Sequence, residues 1–379
     1  MTPNCPKFVA PKERIITQIS SFQALLKNGQ SLKNCTLQAL NLEQLNINWE
    51  NFTIDNTLFL GCQLSLKEEH QLRKKGAYIY PAPQGLPYQP YRTTLYGWET
   101  LATEVGDSTY DENIYNHFSQ SRFNPTINEA LWQRLHDHAI DDALRELLEY
   151  DEKGMTEKKC VAIMGGHSTK RDDPYYRRTV ETAKLLGEQG YFVASGGGPG
   201  IMEAANLGAY LAGQPAKAVD VALGFLTEAP HYTDDGYHEA ALKVLDQYPN
   251  GQENLAIPTW FYGHEPSNIF ASHIAKYFSN SIREDTLLAV ALYGIVFAPG
   301  SAGTTQEIFM DAAQNHYATF NYYSPMVFLG KQRYEIDTMI YPLIRQLSHG
   351  KAYHDLLYLT DEPQAVVDFL VRHEPMLKN

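Results

Sequence analysis

From Lys159 onward, short apolar runs that end in glycine alternate with stretches of helical period. That alternation predicts an α/β domain on a mostly parallel, doubly wound sheet with helices on both faces. Two further observations support it. Three of the predicted strands run into glycine-rich loops, Gly165–Ser168, Ser195–Gly200 and Pro299–Thr304, and a parallel sheet gathers such loops on its carboxyl edge. The region before Lys159 has a different pattern, which sets it apart as a separate module. The expected fold is therefore α/β, a Rossmann-like doubly wound parallel sheet over residues 155–379. A smaller N-terminal module over 1–95 and a helical connector over 96–154 precede it.

The N-terminal module carries a short repeat. Leu32, Leu37, Leu42, Ile47 and Phe52 recur every five residues, and Cys62 falls in the same phase after a gap at Thr57. A second register holds Cys35, Leu40 and Leu45. Period five fits neither a helix nor a simple alternating strand. It resembles one or two turns of a pentapeptide-type β coil, and a few short strands with coincident spacing is the alternative. Residues 78–95, rich in Pro and Tyr, read as a surface linker. The stretch EALWQRLHDHAIDDALRELLEY within 110–150 has apolar positions three and four apart, which predicts a long helix.

In the main domain, CVAIMGG and YFVAS read as strands and Tyr176–Gln189 as the helix between them, closed by Gly190. IMEAANLGAYLAG reads as the helix after the second loop. AVDVALGF, LAIPTWFYG, GIVFAPG and PMVFLG are the further expected strands.

Composition narrows the function. At 379 residues the chain is long enough for two or three domains. A net charge of −13 disfavours a surface for a nucleic-acid polymer, but leaves room for one phosphorylated small molecule held by backbone N–H groups. Cys5, Cys35, Cys62 and Cys160 are scattered, with neither zinc-knuckle nor disulfide-framework spacing, so a reducing cytoplasmic location is expected. The N-terminus lacks the apolar stretch of a signal peptide, and the longest apolar run, 287–298, is too short to span a bilayer. His264-Glu265 and His273 do not form H-E-x-x-H, so no metal site is expected. Gly196, Gly198 and Gly200 depart from the dinucleotide fingerprint, and Asp220 is a weak candidate for a ribose-binding acid, so NAD is not expected. Nothing calls for pyridoxal phosphate, and no cofactor is expected.

The chemistry concentrates in the three loops. Glycine lets backbone approach a phosphate closely, and a following helix offers free N–H groups and the positive end of its dipole. This makes Gly165, Gly166, His167 and Ser168 candidates in the first loop and Gly197, Gly198 and Gly200 in the second, with Glu203 one turn on. In the third they are Gly300, Ser301, Gly303 and Thr304. A glycine pair after a strand also serves simply to turn tightly. Thr304-x-x-Glu307 satisfies the capping-box pattern, so Glu307 has two readings. It either caps a helix or projects a carboxylate beside the ligand's sugar.

GGHS, SGGGPGIMEAAN and PGSAGTTQE resemble the three signature stretches of the LOG-like family, over roughly residues 155–330. That family includes cytokinin-activating phosphoribohydrolases and bacterial nucleotide 5′-monophosphate nucleosidases. Its third motif reads P-G-G-x-G-T-x-x-E, and Ser301 stands at the second glycine here. The resemblance implies hydrolysis of the N-glycosidic bond of a nucleoside 5′-monophosphate, AMP-like, to free base and ribose 5-phosphate. It also implies a catalytic pair, Glu307 with Arg283, sixteen residues before Pro299, and a homo-oligomer, most simply a two-fold dimer. A nucleotide sensor with the same phosphate cradle and little turnover is the alternative.

Overall fold

The computed structural model describes residues 13–28, 31–150, 155–263, 266 and 268–378; Cys5 and His264-Glu265 lie outside them. The chain divides into two compact units, Met1–Thr93 and Thr94–Asn379.

The smaller unit is a four-stranded parallel sheet in sequential order. It consists of β1 (Arg14–Ile16), β2 (Cys35–Gln38), β3 (Thr57–Leu60) and β4 (Tyr78–Tyr80). Helix α1 (Ile19–Asn28) links the first pair of strands and α2 (Leu66–Lys74) the last pair. Between β2 and β3 the chain makes one coil turn. Ser31 pairs with Thr53, Cys35 with Thr57 and Asn41 with Gln63, each partner 22 residues on. The five-residue pattern maps onto the inside of this coil. Leu32, Leu37, Leu42, Phe52 and Cys62 are buried, as are Cys35 and Leu40 of the second register, while Ile47 and Leu45 are half-buried. Thr57, the gap in the pattern, is also buried, because its hydroxyl donates to the Leu32 carbonyl at 2.7 Å.

The larger unit opens with α3 (Trp98–Ala102), a small hairpin of β5 (Glu104–Val105) and β6 (Ser108–Thr109), α4 (Tyr110–Ser121) and α5 (Ile127–Leu148). Thr109 and Thr126 start α4 and α5 by accepting the N–H groups of Glu112 and Glu129. The main sheet follows, with β7 (Cys160–Met164), α6 (Pro174–Glu188), β8 (Phe192–Ser195) and α7 (Ile201–Tyr210). Then come α8 (Ala218–Leu226), α9 (Tyr237–Gln247), β9 (Leu255–Ala256) and β10 (His273–Ile274). Next are α10 (Asn280–Val290), β11 (Ile295–Phe297), α11 (Ala302–Tyr317), β12 (Tyr322–Tyr323) and β13 (Met326–Leu329). The chain ends with α12 (Ile340–Leu347), β14 (Leu357–Thr360), α13 (Pro363–Arg372) and β15 (Met376–Leu377).

Seven of these strands form one parallel sheet in the order β10-β9-β8-β7-β11-β13-β14. The chain winds outward from β7 in one direction and from β11 in the other, so the strand order reverses between them. The sheet is buried at its centre: every residue of β7, β8, β11 and β13 is buried, as expected for a parallel sheet covered on both faces. One face packs Val161, Ile163, Val193 and Val296 against Ala183 and Leu186 of α6, Ala205 of α7 and Val366 and Leu370 of α13.

One expected strand is corrected. AVDVALGF is not a strand but helix α8, whose buried residues Ala218, Val219, Ala222, Leu223 and Leu226 follow helical spacing. Asp220 sits on that helix, paired with Arg177 at 2.5 Å. LAIPTWFYG contributes only Leu255 and Ala256 to the ladder, since Pro258 has no N–H to continue it. No helix among the described residues is long and apolar enough to cross a membrane.

Candidate active site

The reversal of strand order places the ends of β7 and β11 side by side, where an open α/β sheet leaves a crevice. The loops after these strands are tied together: the Gly166 N–H donates to the Pro299 carbonyl at 3.0 Å. A cleft of about 460 Å³ opens here. It is lined by Gly165, Gly166 and His167 from the first loop, Gly196 from the second, Ser301, Gly303 and Thr304 from the third, and Arg283 and Glu307. The size falls within the range for small-molecule sites.

The third loop is shaped from several sides. A Cβ on Gly300 would lie 2.1 Å from the Thr304 hydroxyl oxygen and 2.9 Å from the Gly166 nitrogen, so only glycine fits. The Gly300 carbonyl accepts from Arg333 Nη2 at 2.7 Å, and the Ala298 carbonyl from the Tyr334 hydroxyl at 2.6 Å. Helix α11 then starts at Ser301 without a side-chain cap. The N–H groups of Ala302, Gly303 and Thr304 therefore have no carbonyl partner within the helix, and all three residues line the cleft. Gly303 is informative: a Cβ there would meet nothing within 4 Å, and its φ does not require glycine. Internal packing leaves that position free, so its glycine keeps space open on the cleft side.

The capping reading of Glu307 fails on geometry. Ser301, not Thr304, is the N-cap, which puts Glu307 six residues along, beyond reach of the N-cap N–H. Its carboxylate instead accepts from Arg283 Nη1 at 3.2 Å. Both side chains are largely buried, at 11% and 13% exposure. Burial raises the Glu307 pKa above the usual carboxylate range, the Arg283 charge opposes the rise, and Glu284 adds to it. Arg283 Nε has no hydrogen-bond partner among the described residues.

A supporting cluster that the sequence reading missed surrounds this pair. Glu284 accepts from Asn280 Nδ2 at 2.7 Å, Gln306 Nε2 at 2.8 Å and the Tyr262 hydroxyl at 3.4 Å. Tyr262 and Gln306 line the cleft, with Met164 and Met202 as apolar wall. The i,i+4 spacing of Asn280 and Glu284 on α10 was the one signal available.

Other expected site residues stand elsewhere. Ser168, Gly197, Gly198, Gly200 and Gly300 do not line the cleft; the second loop is buried throughout. Gly200, at φ +69°, allows the turn into α7, and a Cβ there would lie 2.4 Å from the Gly166 carbonyl oxygen. The first free N–H of α7, on Ile201, is taken by that same carbonyl at 3.1 Å. The second loop therefore shapes the first, and α11 presents the open helix terminus. Glu203 points away from the cleft into a buried ion pair, accepting from Arg171 Nε at 2.9 Å, Arg171 Nη2 at 2.6 Å and the Tyr176 hydroxyl at 2.7 Å.

The sequence matches no family model and no curated protein. Among solved structures, the chain is similar to the molybdenum cofactor binding protein from the phototrophic bacterium Rippkaea orientalis. The identity is 13%, over 57% of this chain and 97% of that chain, with a TM-score of 0.37. It is also similar to the Moco carrier protein from Chlamydomonas reinhardtii, at 16% identity over 57% of this chain and 100% of that chain, with a TM-score of 0.35.

Proposed function

We propose that the cleft binds a nucleoside 5′-monophosphate and hydrolyses its N-glycosidic bond, as the resemblance to the LOG-like family implies. The observation that carries this reading is the buried Arg283–Glu307 pair in the same cleft as the open N-terminus of α11. The phosphate lies against the first-turn N–H groups of α11, which need an acceptor and favour negative charge. The sugar then lies toward Glu307.

In the reaction the bond from the anomeric carbon to the base nitrogen breaks with its electron pair leaving on the base, and the sugar gains positive charge. An ionised Glu307 stabilises that charge and orients a water. As the water oxygen bonds to the anomeric carbon, Glu307 takes its proton. The proton ends on the departing base, and the products are free base and ribose 5-phosphate. Arg283, with Nε unpartnered, holds Glu307 in place and offers a donor to the ligand.

The same reading includes a homo-oligomer, most simply a two-fold dimer. Met339, Leu343 and Leu347, four residues apart and exposed, give α12 an apolar outer face of the kind a second copy covers. Light scattering at micromolar concentration checks it, and a monomer alone would refute it.

The deciding experiment for the chemistry is incubation of the full chain with a panel of nucleoside 5′-monophosphates, with released base resolved by chromatography. Release that is lost in Glu307→Gln supports the hydrolase. Saturable nucleotide binding without release would replace it with the sensor reading.

A further inference from the structure

Tyr262 lines the cleft yet is 60% exposed. A tyrosine ordinarily packs its ring on apolar surface and leaves the hydroxyl to water. Here the hydroxyl is tied inward, onto α10. It accepts from Asn280 Nδ2 at 2.9 Å and donates to Glu284 Oε1 at 3.4 Å. Glu284 is 6% exposed and is itself held by Asn280 and Gln306. The polar tip is thus fixed, and the hydrocarbon of the ring is what remains at the cleft.

The backbone that carries this ring is fixed as well. Tyr262 follows β9, at the carboxyl edge of the sheet. The Trp260 N–H donates to the Tyr277 carbonyl at 3.0 Å and the Phe261 N–H to Thr259 Oγ1 at 3.1 Å. The Phe261 carbonyl accepts from Arg122 Nη1 at 2.7 Å. The Phe261 and Tyr262 rings stand nearly perpendicular, at 84° with centroids 5.4 Å apart, so Phe261 covers at most one face of its neighbour.

The groups along the cleft follow the order of the parts of a nucleotide. The open N–H groups of α11 belong to Ala302, Gly303 and Thr304, and Glu307 lies about one turn further on. Gln306, beside Glu307, donates to Glu284 at 2.8 Å, and Glu284 holds the Tyr262 hydroxyl. With the phosphate on the helix end and the anomeric carbon at Glu307, the base comes next and meets the Tyr262 ring. Bases of any edge pattern stack on aromatic side chains. A ring already fixed at its tip and its backbone loses little freedom on binding.

We propose that Tyr262 is the base-stacking platform of the cleft, the residue that distinguishes a nucleotide from a bare sugar phosphate. The inference rests on the nucleotide reading above and assigns the base subsite of that same cleft.

The test is calorimetric titration of full-length Glu307→Gln, which by that reading holds AMP uncleaved, with AMP and with ribose 5-phosphate. AMP should bind at least ~10-fold tighter than ribose 5-phosphate, about 1.4 kcal/mol. Adding Tyr262→Leu should remove most of that difference by weakening AMP alone. Melting should change little, because the side chain is exposed and Glu284 keeps Asn280 and Gln306. Tyr262→Phe, which retains the ring face, should hold AMP within about three-fold of the starting protein. AMP no tighter than ribose 5-phosphate, or a difference that survives Tyr262→Leu, would overturn the platform and leave the phosphate site standing. Equal weakening of both ligands in Tyr262→Leu would show a structural role and overturn it too. Binding of neither ligand to the starting protein would refute the nucleotide reading itself, and the platform with it.

Discussion

At the residue scale the sharpest test concerns Glu307. Burial raises its pKa, so between the ordinary carboxylate value and the raised one the folded chain keeps a proton that the unfolded chain has lost. Stability therefore falls as pH rises through that interval, and the cost persists above it. Glu307→Gln removes that cost while retaining an acceptor for Arg283. The variant should melt no lower than the parent at pH ~7–8, and any advantage should vanish below pH ~4, where the parent's carboxyl is protonated in both states. Turnover should fall at least ~100-fold with nucleotide affinity nearly kept, the pattern of a group that acts in the transition state. In the parent, the acid limb of kcat/KM should lie above ~4.3, the ordinary glutamate value. A fully active, folded Glu307→Gln protein would remove the carboxylate from the mechanism. At Glu203 the same substitution should have the opposite effect on stability. Its pair with Arg171 is 1–2% exposed, and Glu203→Gln leaves a buried guanidinium without its counter-charge. A loss of about 3–5 kcal/mol is expected in denaturant melts, and a loss under ~1 kcal/mol would show the pair to be solvated.

At the scale of elements, two glycines separate shape from binding. Gly200→Ala forces a side chain into φ +69° and against the Gly166 carbonyl. It should destabilise the unit by more than the ~1 kcal/mol of an ordinary backbone penalty. Gly303→Val puts its side chain into open space, so melting should change little. Affinity for AMP should drop several-fold, because the first turn of α11 is then covered. For the same reason AMP should bind at least ~10-fold tighter than adenosine by calorimetry, since hydrogen bonds to a charged acceptor contribute about 1.5–3 kcal/mol. Equal affinities would remove the phosphate from the cleft. The elements also show what a sequence can carry. β7, β8, β11 and β13 were legible because central parallel strands are uninterrupted apolar runs bounded by glycine. α8 was not, because an eight-residue apolar run reads equally as strand or buried helix, and only its buried i, i+4 spacing decides. β10 was missed since two paired residues leave no periodicity. The pairing of Glu307 with Arg283 came only from what the resemblance implies, and the structure brings the two side chains together at 3.2 Å. The partners of Glu284 come from α10, α11 and the 262 loop, and no local pattern joins such segments.

At the scale of the whole molecule, the two units have separate apolar cores. One gathers Leu37, Trp49, Phe52 and Phe59 within the first unit, and the other lies along the seven-stranded sheet. Every residue of the cleft belongs to Thr94–Asn379. A fragment of residues 94–379 therefore contains a full core and the full cleft, and buried area scales favourably for a domain of that length. It should express as a folded protein, melt cooperatively, and bind AMP within about three-fold of the full chain. The complementary change, Trp49→Ala in the full chain, removes a side chain that packs on Phe22, Phe52 and Phe59 and donates to Glu68. It should cost about 3–5 kcal/mol in the first unit and leave the second unit's melting transition in place. Two separable transitions in calorimetry, with only the first displaced by Trp49→Ala, are the expected result. A single transition in which both units shift together would show that they fold as one cooperative body. A fragment that folds but has lost AMP would show that residues before 94 complete the site.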